Sequence, residues 1–357
     1  MCAACGQLND VPPPHVAPDT VIGGYRLIRR IGRGGMGDVY FAYQLSLSRE
    51  AALKILHPAL SRDPVFVGRF LREARLVARM DHPNIVKAFG AGEELGFHYL
   101  AMAYVDGTPL ERRLRRRPLS EMEALELALQ VARALEYAWD EHHLVHRDLK
   151  PANLLLEAGG RVRLMDFGIS RSLTDAHGRV TWPGLLVGTP NYMSPEALTG
   201  RPDVDFRSDV YSLGATLYHA LTGRLPYAGR NVAETLRRRS AQTALPHPQD
   251  ENPSLSDPCV ALLTRMLEPR PERRSSSWAE TADDIERVIQ GQMPGPALHA
   301  GAWPDGAPRR VSSLRGSLFA THVLSRHRRT VIAVLLGIAA VLFALDVWLV
   351  ARLWMRR

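Results

Sequence analysis

Between residues 144 and 156 the chain reads LVHRDLKPANLLL, the stretch that most constrains its fold. Asp148, Lys150 and Asn153 fall within six positions, and the apolar pairs and triplets Leu144-Val145 and Leu154-Leu155-Leu156 bracket them. The apolar runs read as short buried strand segments that anchor a polar loop between them. A loop held at both ends can present side chains for chemistry. Shortly afterwards LMDFG supplies a second carboxylate, Asp166.

A chain of 357 residues is long enough for one large domain or two lobes, and a hydrophobic fraction of 46% is ordinary for a packed core, which excludes disorder throughout. Three cysteines, two of them at positions 2 and 5, cannot build a disulfide framework, as expected of a catalytic part in a reducing compartment. The net charge of +8 points to anionic partners without saying which.

Composition divides the chain. Residues 1–24 form a polar, proline-rich tail (VPPPHVAP) without the apolar stretch of a signal peptide, and residues 291–329 open with another linker-like run, GQMPGPALHAGAWPDGAP. Within residues 25–290, the part 25–105 alternates strand-like runs (YRLIRRI, AALKIL, HYLAMAYV) around one helical stretch, whereas 106–290 is mostly helical in period. This predicts an α+β architecture with a small sheet-rich lobe and a large helical lobe. Residues 330–351 (TVIAVLLGIAAVLFALDVWLVA) hold a single charge, Asp346, and as a helix would span roughly 33 Å, enough to cross a bilayer. Residues 352–357 read as a short tail, and no sensor domain beyond a membrane is expected.

RRIGRGGMGDVYFA opens the small lobe with Gly32, Gly34 and Gly37 in G-x-G-x-x-G spacing. Such glycines let backbone approach a phosphate. A dinucleotide fold would open a helix after the last glycine, but Val39 and Tyr40 are strand formers, so the spacing reads as a hairpin. Lys54 sits on the strand AALKIL, where the bland alternative is a solvated lysine. The helix PVFVGRFLREARLVARM buries Phe66, Phe70, Ala74 and Val77, with Glu73 at the border of that face, able to orient Lys54 onto a nucleotide's phosphates. Phosphoryl transfer to a hydroxyl needs a carboxylate to take the proton, cations to offset phosphate charge and oxygen ligands for Mg²⁺. Asp148, Lys150, and the pair Asn153 and Asp166 can fill those three roles.

With these motifs in this order, residues 25–290 resemble the bacterial branch of the eukaryotic-like (Hanks-type) Ser/Thr protein kinases. The resemblance implies a bilobal protein-kinase fold with ATP and Mg²⁺ between the lobes, Lys54 paired to Glu73, Asp148 as base with Lys150 at the γ-phosphoryl, and Asn153 and Asp166 on metal. It assigns ATP contacts to the glycine loop, Ile31, Gly32, Arg33, Gly34, Gly35, Met36, Gly37, Asp38 and Val39, and to the lobe connection, where Met102 backs the adenine pocket and the backbone of Ala103 to Val105 meets the base. Glu196 of GTPNYMSPE, Asp209 of SDVYSLG and Arg273 of RPERR match large-lobe supports, with Arg273 the expected partner of Glu196, and Ser194 stands where alanine is usual. Lys150 and Thr189 would frame an acceptor hydroxyl of a protein substrate, and Arg147 would meet an activating phosphate, expected on Thr181. A pseudokinase that only binds would lack Lys54, Asp148 or Asp166, and all three are here.

Other signals are fainter. Cys2 and Cys5 have half the spacing of a zinc ribbon without a second half, so free thiols are expected. ERRLRRRPLS concentrates Arg112, Arg113, Arg115, Arg116 and Arg117, either a solvated face or a docking site for acidic protein or lipid. Nucleic-acid binding would rest on charge alone and is not expected. Arg309, Arg310, Arg315, Arg326, Arg328 and Arg329 precede the apolar segment and three arginines follow it, which predicts a single-pass inner-membrane protein with a cytoplasmic kinase domain close to anionic lipid. Ala333, Gly337, Ala340 and Ala344 make a small-residue stripe through which two copies could pair as a homodimer.

Overall fold

The structure, a computed structural model, describes residues 17–34, 36–167, 190–201, 203–240 and 245–295. These lie in the first of two compact units, Met1–Gly306. The apolar segment 330–351, Thr181, Thr189, Gly35, Cys2 and Cys5 lie outside the described residues.

The small lobe is an antiparallel sheet of β1 (Val21–Ile22), β2 (Tyr25–Gly34), β3 (Gly37–Gln44), β4 (Arg49–Leu56), β5 (Ala88–Glu94) and β6 (Phe97–Ala103), in the order β1-β2-β3-β4-β6-β5. Its pairing begins ahead of Tyr25, because Val21 and Ile22 fold back onto Arg26 and Tyr25. Strand periodicity decides which way β4 points its side chains. Ala51, Leu53 and Ile55 enter the core shared with Tyr25, Leu27 and Tyr40, while Ala52 and Leu56 face the core built by α2. Lys54 falls on that second face by the same alternation.

After α1 (Pro58–Ser61), Asp63 caps α2 (Pro64–Val77) by accepting from the N–H groups of Val65 and Phe66 at 2.9 and 3.2 Å, with Pro64 at the first turn. The expected stripe Phe66, Phe70, Ala74 and Val77 is buried. The lobes are stitched directly: Leu164 donates its N–H to Asn84 O (2.7 Å) and Val86 donates to Leu164 O (2.9 Å).

The large lobe begins with a three-stranded sheet, β7 (Gly107–Pro109), β8 (Leu154–Glu157) and β9 (Val162–Leu164), ordered β7-β8-β9. Between β7 and β8 run α3 (Leu110–Leu114) and α4 (Glu121–His142). A reciprocal capping box between Ser120 and Glu123 starts α4, and His143 in a left-handed conformation (φ 49°) ends it. Leu154-Leu155-Leu156 form a strand as expected, but Leu144-Val145 do not: they follow the cap as extended chain, with Leu144 still donating to Ala138 O. Then come α5 (Pro195–Leu198), α6 (Phe206–Thr222), α7 (Val232–Ser240), α8 (Pro248–Glu251), α9 (Asp257–Met266) and α10 (Trp278–Ile289). α6 is buried nearly all round, as a central helix must be. It crosses α9 so closely that a Cβ on Gly214 would lie 2.7 Å from Met266 Cβ.

Candidate active site

The β2–β3 hairpin pairs Gly34 with Gly37, Arg33 with Asp38 and Gly32 with Val39, so the glycine spacing is a strand turn and not the start of a helix. Its glycines serve different ends. A Cβ on Gly37 would sit 1.9 Å from Ile55 O, so that glycine is required by close approach to β4. At Gly32 and Gly34 a Cβ would meet nothing nearer than 3.7 Å within the protein, which leaves their backbone open to a ligand. Asp38, buried, accepts from Arg30 at 3.1 Å across the hairpin.

Lys54 is buried, 7% exposed, and its ammonium pairs with Asp166 Oδ1 at 2.7 Å. The pairing of Lys54 with Glu73 expected from the resemblance is therefore replaced in this structure by a pair with Asp166. Glu73 lies half-buried on α2, beside the stripe.

Asp148 is gripped from two sides. Lys150 Nζ donates to its Oδ2 and Oδ1 at 2.8 and 3.0 Å, and Asn153 Nδ2 donates to its backbone O (2.7 Å) and to Oδ2 (3.1 Å). A 3-10 turn, Pro151–Asn153, sets Asn153 pointing back at Asp148, and the Asn153 carbonyl accepts from Met165 N–H at 3.0 Å. That bond ties the Asp148 loop to the chain carrying Asp166.

Two further residues support this arrangement: His146, to which the sequence assigned no role, and Asp209, expected as a large-lobe support. His146, fully buried, donates Nε2–H to Met165 O (2.9 Å) and accepts the Asp148 N–H at Nδ1 (3.2 Å), which fixes its tautomer, and its ring lies 4.7 Å from that of Phe167. Asp209, on α6, receives the backbone N–H groups of His146 (2.6 Å) and Arg147 (2.8 Å), one on each oxygen. Burial pushes the Asp209 carboxyl above its ordinary range, and the two backbone donors oppose that shift. Arg147 and Asp166 both hold left-handed backbone (φ 65° and 63°), a conformation that costs of order 1–3 kcal/mol and persists only where surroundings impose it. Asp209 and the Met165 link impose it here. Of these supports only Asp209 was legible as such; the HRD motif carried His146 in view without disclosing its work.

Further out, Glu196 is held by Arg274, not by Arg273. Arg274 donates to both carboxylate oxygens at 2.6 and 3.0 Å and is buried, whereas Arg273 is exposed. Burial raises the Glu196 carboxyl, but the hydrogen bonds and charge of Arg274 outweigh it and hold the group below the usual carboxylate range. Ser194 caps α5 through Ala197 N–H and shares a hydrogen bond with Ser208 Oγ at 2.8 Å, so the hydroxyl in place of alanine is fully used.

At the lobe connection Met102 is buried and Ala103 donates its N–H to Lys87 O (2.8 Å). The Ala103 carbonyl and the Val105 amide are then the backbone groups that could meet a flat nitrogenous base. Ala103, Tyr104 and Val105 border a cavity there together with Val86, Lys87 and Asp106.

The donor set suits Mg²⁺: one carboxylate, Asp166, and one amide oxygen, Asn153 Oδ1, the atom left once Nδ2 is given to Asp148. Few protein ligands with the balance from phosphate and water is the usual Mg²⁺ arrangement. Lysines flank both carboxylates. A site with two lysines, two carboxylates and open glycine backbone is built to hold a polyanion beside a proton acceptor.

Comparison with known proteins agrees. Residues 25–286 match the family model of the protein kinase domain. The chain is 37% identical over 299 residues to a probable serine/threonine-protein kinase of Streptomyces coelicolor, covering 81% of this chain and 43% of that one. It is 37% identical over 275 residues to the serine/threonine-protein kinase PknB of Mycobacterium tuberculosis, covering 76% and 44%. The chain thus spans less than half the length of these relatives. Among solved structures, the PknI kinase domain of Mycobacterium tuberculosis superposes with a TM-score of 0.62 at 31% identity, over 76% of this chain and 99% of that one. The chain belongs to the protein kinase family, within its bacterial Hanks-type Ser/Thr branch.

Proposed function

We propose that this chain transfers the γ-phosphoryl group of ATP to serine and threonine hydroxyls of proteins. The observation that carries the reading is the convergence of three segments: Lys54 on β4, the loop of Asp148, Lys150 and Asn153, and Asp166 after β9. Asp148 accepts the proton of the attacking hydroxyl, held in place by Asn153. Lys150, bonded to the same carboxylate, offsets charge on the phosphoryl in transit. Lys54 orients the α- and β-phosphates, and the glycine backbone covers them. Asn153 and Asp166 would hold Mg²⁺, which supplies charge neutralisation across the phosphates when bound. In the structure described here Lys54 occupies Asp166, so nucleotide binding on this reading exchanges that pair: Lys54 turns to phosphate and Glu73, and Asp166 to metal.

We extend the reading to a membrane-anchored kinase. Support comes from the apolar segment 330–351 and the arginines before it, which favour a cytoplasmic N-terminal side beside anionic lipid. Autophosphorylation at Thr181, next to Arg147 in function, and pairing of two copies through the small-residue stripe belong to the same proposal.

The test is incubation of the purified chain with labelled ATP and Mg²⁺, a protein acceptor, and phosphosite mapping. Incorporation on serine and threonine, Thr181 among them, is expected. Asp148→Asn should retain nucleotide binding and lose roughly 10²–10⁴-fold in rate, the usual share of a general base. Wild-type-like turnover in that variant would refute the assignment; nucleotide binding without transfer in the unaltered chain would make it a pseudokinase.

A further inference from the structure

One cavity of the large lobe lies away from the phosphoryl site. It is a depression of about 530 Å³ on the large lobe, between α3, the start of α4 and the turn joining β8 to β9. Leu119, Leu127 and Leu156 contribute apolar lining, and Arg112, Arg113 and Arg116 stand over it. Its size is that of a ligand pocket rather than of a packing defect.

Charge at this cavity is unbalanced. Of the acidic side chains around it, Glu157 is paired with Arg163 at 2.7 Å and Glu123 with Arg117 at 3.8 Å, which leaves Glu126 as the lining carboxylate without an arginine partner of its own from beyond the cavity. Arg113 donates to Arg117 O, while the side chains of Arg112 and Arg116 have no ion pair or hydrogen bond among the described residues. Their neighbours outside the cavity differ: Arg115 faces Glu111 and Arg117 faces Glu123. The field at the C-terminal end of α3 favours a cation at Arg112, but Arg116 lies beyond the helix and gains little from it. Arg112 and Arg116 thus stand as two exposed cations over a cavity with apolar lining.

We propose that this cavity docks an acidic peptide segment of a partner protein, its carboxylates on Arg112 and Arg116 and its aliphatic side chains against Leu119, Leu127 and Leu156. The flanking segments of this chain are poor occupants by charge. Residues 291–329 carry six arginines against Asp305, and residues 1–16 carry one acidic group, Asp10. The apolar lining distinguishes a peptide from a bare anion, since phosphate or a lipid headgroup would leave it uncovered. The surface lies outside the phosphoryl site, so binding needs no nucleotide and its test is separable from that of catalysis.

The probe is the fluorescein-labelled peptide Glu-Leu-Asp-Glu-Leu-Leu-Asp-Glu, titrated by anisotropy against the full chain in neutral detergent. Saturable binding that weakens with salt is expected. Arg112→Gln with Arg116→Gln should weaken it about tenfold, as removal of two solvent-exposed ion pairs would, with unchanged thermal melting. Arg112→Lys with Arg116→Lys should keep most of the affinity, and Arg115→Gln should keep all of it. A peptide with serine in place of leucine should bind more weakly; equal binding reduces the site to surface charge and overturns the proposal. So does the absence of peptide binding, or arginine-dependent binding of phosphatidylserine vesicles in its place.

Discussion

All five N–H donors of Arg274 have acceptors: both oxygens of Glu196, and the carbonyls of Arg207, Glu268 and Pro269. Its guanidinium also lies 4.9 Å from the centre of the Tyr211 ring. A buried charge is tolerable when every donor is satisfied in this way. Removing it strands the Glu196 carboxylate, so Arg274→Met should destabilise the large lobe by about 3–5 kcal/mol, read from denaturant midpoints. Arg273→Ala, at an exposed position, should change stability by less than about 0.5 kcal/mol. The reverse ranking would mean that the Glu196 pairing has been misassigned. The sequence offered two adjacent arginines and no means of choosing. What decides is backbone: Arg273 closes a 3-10 turn, and Arg274 leaves it in extended conformation (ψ −179°), which turns the next side chain inward. Lys54 shows the same limit. Its strand alternation was readable, but which of two carboxylates would meet its ammonium depends on where α2 stands against the sheet.

At the scale of elements, α6 is the frame on which the polar supports hang. It carries Asp209 beneath the Asp148 loop, Ser208 beside Ser194, and His219 near its end, where His219 Nδ1 accepts from the Tyr192 hydroxyl at 2.7 Å. Burial pushes the Tyr192 phenol up, so it remains a donor, and burial lowers His219 from 6.5 to about 4. Between those two values the unfolded chain binds a proton that the folded one does not, so acid favours unfolding. The His219 contribution is complete above about pH 6.5 and is lost as pH falls toward about 4; a gap of about 2.5 pH units corresponds to about 3 kcal/mol. His219→Gln keeps an acceptor for Tyr192 without the titration. Urea midpoints of that variant should fall less steeply with acid than those of the unaltered chain, and parallel curves would show that His219 does not set the slope. Long elements such as α2 and α4 were legible because caps and apolar period agree over several turns. β7 and β9, three residues each, have no period to read, and Leu144-Val145 looked like a strand because two apolar residues in a loop have the same composition as a short strand.

For the molecule as a whole, the two-lobed division could be read in advance, since each lobe is dominated by one hydrophobic period and the glycine hairpin, the Lys54 strand and the Glu73 helix fall on elements of the expected type. The cavity beneath Arg112 and Arg116 could not, because it arises from three elements meeting and leaves only a run of arginines in the sequence. The segment 330–351 bears on where this molecule works. A helix of that length with one charge is long enough for the hydrocarbon core, and Asp346, near its far end, can reach interfacial water by a small shift along the axis. Six arginines precede it within about twenty residues and three follow, a bias that on the proposed reading would retain the N-terminal side in the cytoplasm, where ATP is available. With about 40 linker residues and a root-mean-square reach of roughly 35 Å, the kinase domain would work close to the inner leaflet. The full chain should therefore sediment with membranes and resist extraction by high salt, which removes proteins held by charge alone. Protease added to intact spheroplasts should leave the kinase domain whole, and the same protease after lysis should degrade it. Digestion from outside intact cells would reverse the proposed orientation, and release by salt would replace the spanning helix with surface attachment.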